Sequence, residues 1–421
     1  MTTNPILYAL PVFFASILLE AAVARRMDRR IYDLRDAITS LNFGTLSQIT
    51  GAALTILSFG IYVAIYERFG ARLWPARGWL AWFGALLIYD FFYYWAHRMG
   101  HEVGVLWAGH VVHHSSEYYN LSTALRQSST GGLLAWVFYI PMAVLGVPPI
   151  TFATVALADL LYQYWVHTQL IGRCGPLEAA FVTPSNHRVH HGQNDYCIDR
   201  NYGGILIVWD RLFGTFADER RDEEIVYGIR KPLESYNPVW GNLHVYKDLW
   251  NRAKLAPGLA GKIGAFLAPP AGWNESLPHF DAERHARYAP ASSSSIKPYV
   301  AAQYALVSLA VTWFLAGTPG LTPLGGWIVA LAATLSMICQ GGLMQAVRWA
   351  IPAERLRLAA TGVAAVLMAL LRVGPPAAAA AGAIACAASL LWLALVTGSR
   401  RSTRPDSPVA GDAITSAARP R

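Results

Sequence analysis

Nine histidines fall between residues 97 and 191 in four groups, each where an apolar stretch stops: His97-x-x-x-His101, His110-x-x-His113-His114, a single His167, and His187-x-x-His190-His191. A helix puts residues three and four apart on one face. His97 and His101 therefore share a side, and so do the three imidazoles of each His-x-x-His-His group. Imidazole suits iron, zinc and copper near neutral pH. One tetrahedral zinc offers four places; nine donors fill two first-row metal sites and leave positions open for oxygen. A single isolated histidine reads as a surface or hydrogen-bonded side chain. Four spaced groups at consecutive segment ends read as a metal site.

What surrounds the histidines is apolar. The 421 residues are 54% hydrophobic and 14% charged, with positive mean hydropathy. That is the composition of an integral membrane protein. Apolar stretches run over 5–23, 43–66, 79–96, 130–147 and 150–166, the last two joined by Pro148-Pro149 as a hairpin short for full spans. Four more follow at 299–317, 325–343, 355–373 and 377–397, with almost no polar chemistry, and read as scaffold. The expected fold is an all-α integral membrane protein, a transmembrane bundle with a histidine-rich di-metal cap. Its parts are 1–169 (membrane helices with the first histidine boxes), 170–298 (a cap with the last box), 299–397 (C-terminal transmembrane helices) and 398–421 (a disordered tail). Residues 24–41 read as a loop or short surface helix.

The net charge of +8 is spread over loops and tails and forms no nucleic-acid face. Placing Arg25, Arg26, Arg29 and Arg30 in the cytoplasm puts the cap and every histidine group on the cytoplasmic side. Arg68, Arg72 and Arg77 then lie outside, against the rule. Cys174 and Cys197 flank the last box and read as free thiols with a ligand role open, while Cys339 and Cys386 read as packing. The first apolar stretch reads as an anchor, because no basic segment precedes it and no small-residue cleavage site follows it.

Around the boxes, His113-His114-Ser-Ser-Glu117-Tyr-Tyr-Asn120-Leu-Ser-Thr-Ala-Leu-Arg126-Gln127 and Thr183-Pro-Ser-Asn186-His187-Arg-Val-His190-His191-Gly192 carry a resemblance, with Asp199-Arg-Asn-Tyr-Gly-Gly and Trp209-Asp-Arg-Leu-Phe-Gly after them. They resemble the membrane-bound fatty acid hydroxylase and sterol desaturase superfamily, and within it the alkylglycerol monooxygenases. The likeness covers roughly residues 5–290, and the C-terminal part only in hydropathy. It implies an oxygen-using di-iron oxidoreductase that takes a lipid from the bilayer and hydroxylates an alkylglycerol at its ether-linked carbon. It implies two iron ions held by His97, His101, His110, His113, His114, His167, His187, His190 and His191. Tetrahydrobiopterin is the implied reductant, although no residue by itself marks a pterin site. A role in activity for Glu117 is likewise implied.

Two carboxylates sit in apolar helices, where an ionisable group is costly unless paired. Asp90 lies seven residues before His97 and Asp159 eight before His167, so each is a candidate to hydrogen-bond the second nitrogen of a ligating histidine; the alternative is a pairing with buried Tyr or Arg. Asn186 directly precedes His187 and is a third supporting candidate. His244 is a candidate additional ligand; His279 and His285 read as solvated. Three rival readings stay open: a fatty acid or sterol hydroxylase or desaturase fed by an electron-transfer protein, a zinc hydrolase, which lacks His-Glu-x-x-His, and a metal transporter or store.

Overall fold

The computed structural model describes residues 6–71, 74, 78–272, 277–317 and 319–398, apart from the side chains at 53 and 55. The tail expected to be disordered lies outside the described residues, but for its first position. Among those described, the regular elements are helices, with isolated antiparallel bridges at Phe181–Leu206 and Gly192–Tyr227. The long helices are α1 (Ile6–Arg26), α2 (Leu34–Phe69), α3 (Trp79–Glu102), α4 (Pro149–Trp165), α5 (Pro238–Leu255), α6 (Ile296–Leu315), α7 (Pro323–Met344), α8 (Ala350–Leu370) and α9 (Pro376–Gly398). Four of them, α1, α6, α7 and α9, are long and apolar enough to cross a membrane, and α2 makes a fifth if its halves, bent by 49°, count as one span. Helices α3 and α8 are equally long but less apolar, because α3 carries Asp90 among tyrosines and tryptophans and α8 carries Glu354, Arg355 and Arg357. Large apolar side chains such as Leu18, Trp79, Trp327, Leu370 and Ile384 face outward; a hydrocarbon surround accepts them where water would not.

The expected hairpin is built from a broken first arm and a continuous second one. Gly132–Val144 is an apolar helical run interrupted by a 3-10 turn at Trp136–Tyr139. Gly146, at φ 84°, and Pro148 then turn the chain into α4. Tyr62, Ala85, Tyr89, Met142, Val147 and Val155 pack the two arms against α2 and α3, which brings the end of α4, and so His167, back to the level of His97.

Two segments differ from expectation. Residues 34–41 are the start of α2, capped by Asp33, whose carboxylate accepts from the Arg35 and Asp36 amides at 2.9 and 3.4 Å. Their polar side chains are buried because Asp36 meets the buried Arg126 guanidinium at 3.3 Å. The C-terminal helices also carry polar chemistry. Fully buried Glu354 pairs with Arg357 at 2.6 Å and accepts from the Tyr299 hydroxyl at 2.6 Å. Arg357 donates to Gln303, and Gln303 to Ser389, at 3.0 and 2.8 Å. An unpaired charge between helices in hydrocarbon would be costly, and this network leaves none while it ties α6, α8 and α9 together. Leu46, Val307, Val311, Ala333 and Met337 then dock α6 and α7 on α2, helped by Asn42 donating to Gln340 at 2.9 Å.

Candidate metal centre

The nine histidines meet in two groups. His97, His101, His110, His114 and His190 bring one ring nitrogen each to within 4.8 Å of one another, and so do His113, His167, His187 and His191. The i,i+4 pairs stay together: His97 with His101, His110 with His114, His187 with His191. The third member of each His-x-x-His-His box crosses over, His113 to the second group and His190 to the first. A turn of helix aims i and i+4 alike and i+3 at an angle, so each box serves both groups.

Hydrogen bonds fix which nitrogen faces inward. The Nδ1 of His97 lies 2.8 Å from the Tyr202 carbonyl, that of His113 3.1 Å from Arg126, that of His167 2.7 Å from Gln163, and that of His190 2.9 Å from Arg200. A carbonyl only accepts, so each Nδ1 carries the proton and each Nε2 presents a lone pair. Those lone pairs converge. Nε2 atoms of His97 and His110 lie 3.0 Å apart, His110 and His114 3.1 Å, His113 and His167 3.2 Å, His167 and His187 3.1 Å, and His187 and His191 3.2 Å. The Nε2 atoms of His101 and His190 are buried with no hydrogen-bond partner. Buried acceptors without donors are costly, and a cation among them removes the cost. The donor set thus fits a metal in each group. Burial pushes His110, His114, His187, His190 and His191 well below the ordinary imidazole range, and His113 to about 4. These rings are neutral ligands at neutral pH.

Behind the rings, the frame is mostly backbone held by carboxylates. Asp90 does not reach a histidine. It accepts from the Ile205 and Leu206 amides at 2.7 and 3.1 Å and from the Trp209 indole at 2.8 Å. Asp210 accepts from the Tyr202 and Gly203 amides at 2.7 and 2.8 Å, so two carboxylates hold the segment whose Tyr202 carbonyl orients His97. Asp159 accepts from Gln163 at 2.6 Å and stands beside Asp90 across Gly204, where a Cβ would come 2.6 Å from Asp159 and 3.0 Å from Asp90. Asn186 closes a capping box with Thr183 at the start of the short helix Pro184–His190, the one that carries the last histidines. Arg126 donates to the Val112 carbonyl at 3.0 Å and ties the turn Val111–His114 to Asp36. Glu117 accepts from the Tyr288 amide at 2.6 Å, and burial raises its carboxyl above the ordinary range. His244 lies outside both groups with its Nδ1 2.8 Å from the Gly241 carbonyl. Cys174 and Cys197 are outside them as well. Asp210, Asp36 and the Tyr202 carbonyl escape a reading of the sequence, since a carboxylate that binds amides leaves no spacing signal.

Among the described residues, two cavities of about 380 Å³ each reach this centre. The first is bordered by α1 and α6 side chains such as Leu10, Phe14 and Leu315 and ends on His97, His110, His113 and His167. The second opens from the cap side onto His101, His114 and His190.

The fatty acid hydroxylase family model matches residues 82–215, the stretch that holds all nine of these histidines. The human alkylglycerol monooxygenase is 40% identical over 308 residues, covering 71% of this chain and 68% of the human protein. The zebrafish (Danio rerio) alkylglycerol monooxygenase is 43% identical over 272 residues, 64% of this chain and 60% of that protein. An ornithine lipid hydroxylase of Rhizobium tropici is 32% identical over 145 residues, covering 34% of this chain and 44% of its own. No solved structure matches. With membrane-grade helices, a metal-binding histidine centre and these relatives, the chain belongs to the fatty acid hydroxylase family, in the group of the alkylglycerol monooxygenases, and is a membrane lipid monooxygenase.

Proposed function

We propose that the chain hydroxylates the ether-linked carbon of alkylglycerols. In this reading His97, His101, His110, His114 and His190 hold one iron and His113, His167, His187 and His191 the other, and tetrahydrobiopterin is the reductant. The first cavity carries the reading. It runs from lipid-facing helices to both histidine groups, so an alkyl chain lying in it places a carbon beside both metals. When bound, iron supplies the dioxygen chemistry that breaks an unactivated C–H bond, which side chains alone do not achieve.

The chain's own residues supply position and dryness. Leu10, Phe14 and Leu315 exclude water from the alkyl path. Gln127 and Ser128 border the same cavity near the histidines and offer hydrogen bonds to a glycerol hydroxyl. Asp90 and Asn186 act through the backbone that orients the rings, and Asp159 through Gln163, whose carbonyl meets the His167 Nδ1. Glu117 works from beside Gly228, where a Cβ would lie 3.4 Å from its Cγ, on the cap side of the centre. Hydroxylation at an ether carbon gives a hemiacetal, which separates into aldehyde and glycerol. The basic run Arg25 to Arg30 sets the cap, 170–298, in the cytoplasm on this reading.

The test is aerobic turnover of a labelled alkylglycerol by purified, iron-loaded protein, with and without tetrahydrobiopterin. Pterin-dependent fatty aldehyde is the expected result. No aldehyde, with two irons per chain confirmed, overturns the substrate and moves the assignment to fatty acid or sterol hydroxylation with a protein electron donor.

A further inference from the structure

The second cavity is not used by the lipid path. It is bordered by cap segments around 190–199, 228–231 and 244–252, by Pro269, Pro270, Ala271, Leu277 and Pro278, and by 101–114, and by none of the bilayer-facing residues of α1 or α6. Of the nine histidines it meets only members of the five-histidine group, His101, His114 and His190, whereas the lipid cavity touches both groups. Its volume falls within the roughly 300–1,000 Å³ of small-molecule sites. The Trp107 ring lies 5.1 Å from that of His101 and 5.7 Å from that of His114 and forms an apolar wall against the centre. Across it stand Asp248, paired at 2.6 Å with the exposed Lys231 ammonium, and His244, whose Nδ1–H is spent on the Gly241 carbonyl; they offer a carboxylate and an imidazole Nε2 as acceptors and Lys231 as the donor.

Monooxygenation needs two electrons from outside. One oxygen atom of dioxygen goes into the lipid C–H bond. The other leaves as water, which takes two electrons and two protons from a donor. A donor sharing the lipid cavity would open it to water. The rings of His101, His114 and His190 are buried at the floor of a pocket, where a small molecule reaches and a protein surface does not. A reduced pterin has the matching shape: a flat bicycle for the indole face, adjacent amide N–H and amino donors for a carboxylate, and a carbonyl for a cationic side chain. We propose that the cap-side cavity binds the reduced pterin and serves the metal of the five-histidine group, so that donor and lipid approach the centre from opposite sides. The pterin leaves two hydrogens poorer, as its dihydro form, which balances the reaction. The inference rests on the lipid reading above for its need of a donor.

The experiment is anaerobic calorimetric titration of tetrahydrobiopterin into the ferrous protein in detergent. Val245→Trp fills the second cavity, Asp248→Asn removes the carboxylate, and Ala135→Trp fills the lipid cavity. Val245→Trp and Asp248→Asn should each weaken pterin binding tenfold or more and leave alkylglycerol binding unchanged; Ala135→Trp should do the reverse. Unchanged pterin affinity in both cap variants, loss of pterin binding in Ala135→Trp, or no binding by the parent protein at 1 mM would each overturn the assignment. Retained alkylglycerol binding certifies the fold of the cap variants, and Asp248→Asn decides alone if Val245→Trp does not fold. Aldehyde formed with a chemical reductant, by a protein that binds no pterin, would keep the lipid reading and discard this site. Pterin binding lost in the cap variants of a protein that never forms aldehyde would keep the site and discard the lipid reading.

Discussion

The rings of His114 and His191 stack 4.3 Å apart and 21° from parallel, one from each histidine group. They are the seam between the two candidate metal sites, and each belongs to its own set of donors. Replacing His114 by Ala should therefore lower metal content from two ions per chain to one, and replacing His191 should do the same for the other ion. Activity should fall by more than about 100-fold in each, since changes even one shell further out cost 10–100-fold. Elemental analysis per chain checks this, and a variant that keeps both ions would break the two-group division.

Asp210 tests the frame behind His97. Its carboxylate accepts from the Tyr202 and Gly203 amides, and the Tyr202 carbonyl orients His97. Asp210→Ala leaves those buried amides without an acceptor, at a cost of about 1–3 kcal/mol each. Metal affinity should drop about 10–100-fold, the usual effect of losing an outer-shell partner. Competition with a chelator reads the affinity and a melting curve the stability. Affinity unchanged alongside a lower Tm would reduce Asp210 to a structural role.

Gly204 is the point where Asp90, Asp159 and Tyr93 crowd the backbone. A Cβ there would lie 2.6 Å from Asp159 and 2.9 Å from the Tyr93 ring. Gly204→Ala should displace the segment 202–206 and lower metal occupancy, while Gly132→Ala, whose Cβ meets nothing within 4 Å, should change neither. Metal content of the two variants, measured side by side, decides it.

How much of this was legible in the sequence follows from what leaves a pattern. His97 and His101, four apart before a polar loop, announce a shared face, and apolar length announces α1, α6, α7 and α9. The division of each box between two groups is not legible, because His113 and His114 differ by a ring direction that depends on how the turn Val111–His114 is set against Gly104–Ala108 and α5. Asp90 has ligand-supporting spacing to His97, yet it binds the amides of residues 205 and 206, over a hundred positions away, where no periodicity points. The Glu354–Arg357 pair sits three apart in an apolar stretch, but its partners Tyr299, Gln303 and Ser389 come from two other helices, so its burial is a tertiary outcome.

Stability of the metal-free protein should depend on pH through the histidines. Burial holds His113 near 4 and several neighbours well below 6.5, the ordinary value they regain on unfolding. Between those values the unfolded chain binds protons that the folded chain refuses, so unfolding is favoured as pH falls. The apo protein should hold its stability above about 6.5 and lose it from there towards 4. Metal loading stabilises the folded state and should raise Tm across that window. Melting curves of apo and loaded protein from pH 7.5 to 4.5 check both, and an apo protein equally stable at pH 7 and 5 would contradict the burial of neutral rings.

The C-terminal network offers a test that separates scaffold from chemistry. Glu354 is fully buried, and its partners are the Arg357 guanidinium and the Tyr299 hydroxyl. Arg357→Met keeps the length of the side chain and strands the carboxylate. Breaking a buried pair in this way costs about 3–5 kcal/mol, because an uncompensated charge is left behind. Removing both charges, with Glu354→Gln and Arg357→Met together, should recover most of that loss, since an amide still accepts from Tyr299. Neither histidine group includes these residues, so the folded fraction of both variants should bind its full complement of metal. Thermal unfolding in detergent gives the stabilities and elemental analysis the occupancy. If the double variant were as unstable as Arg357→Met, the charge would not be the cause; if metal were lost in a folded Arg357→Met protein, α8 would be coupled to the centre through α7 and α2 rather than serving as scaffold.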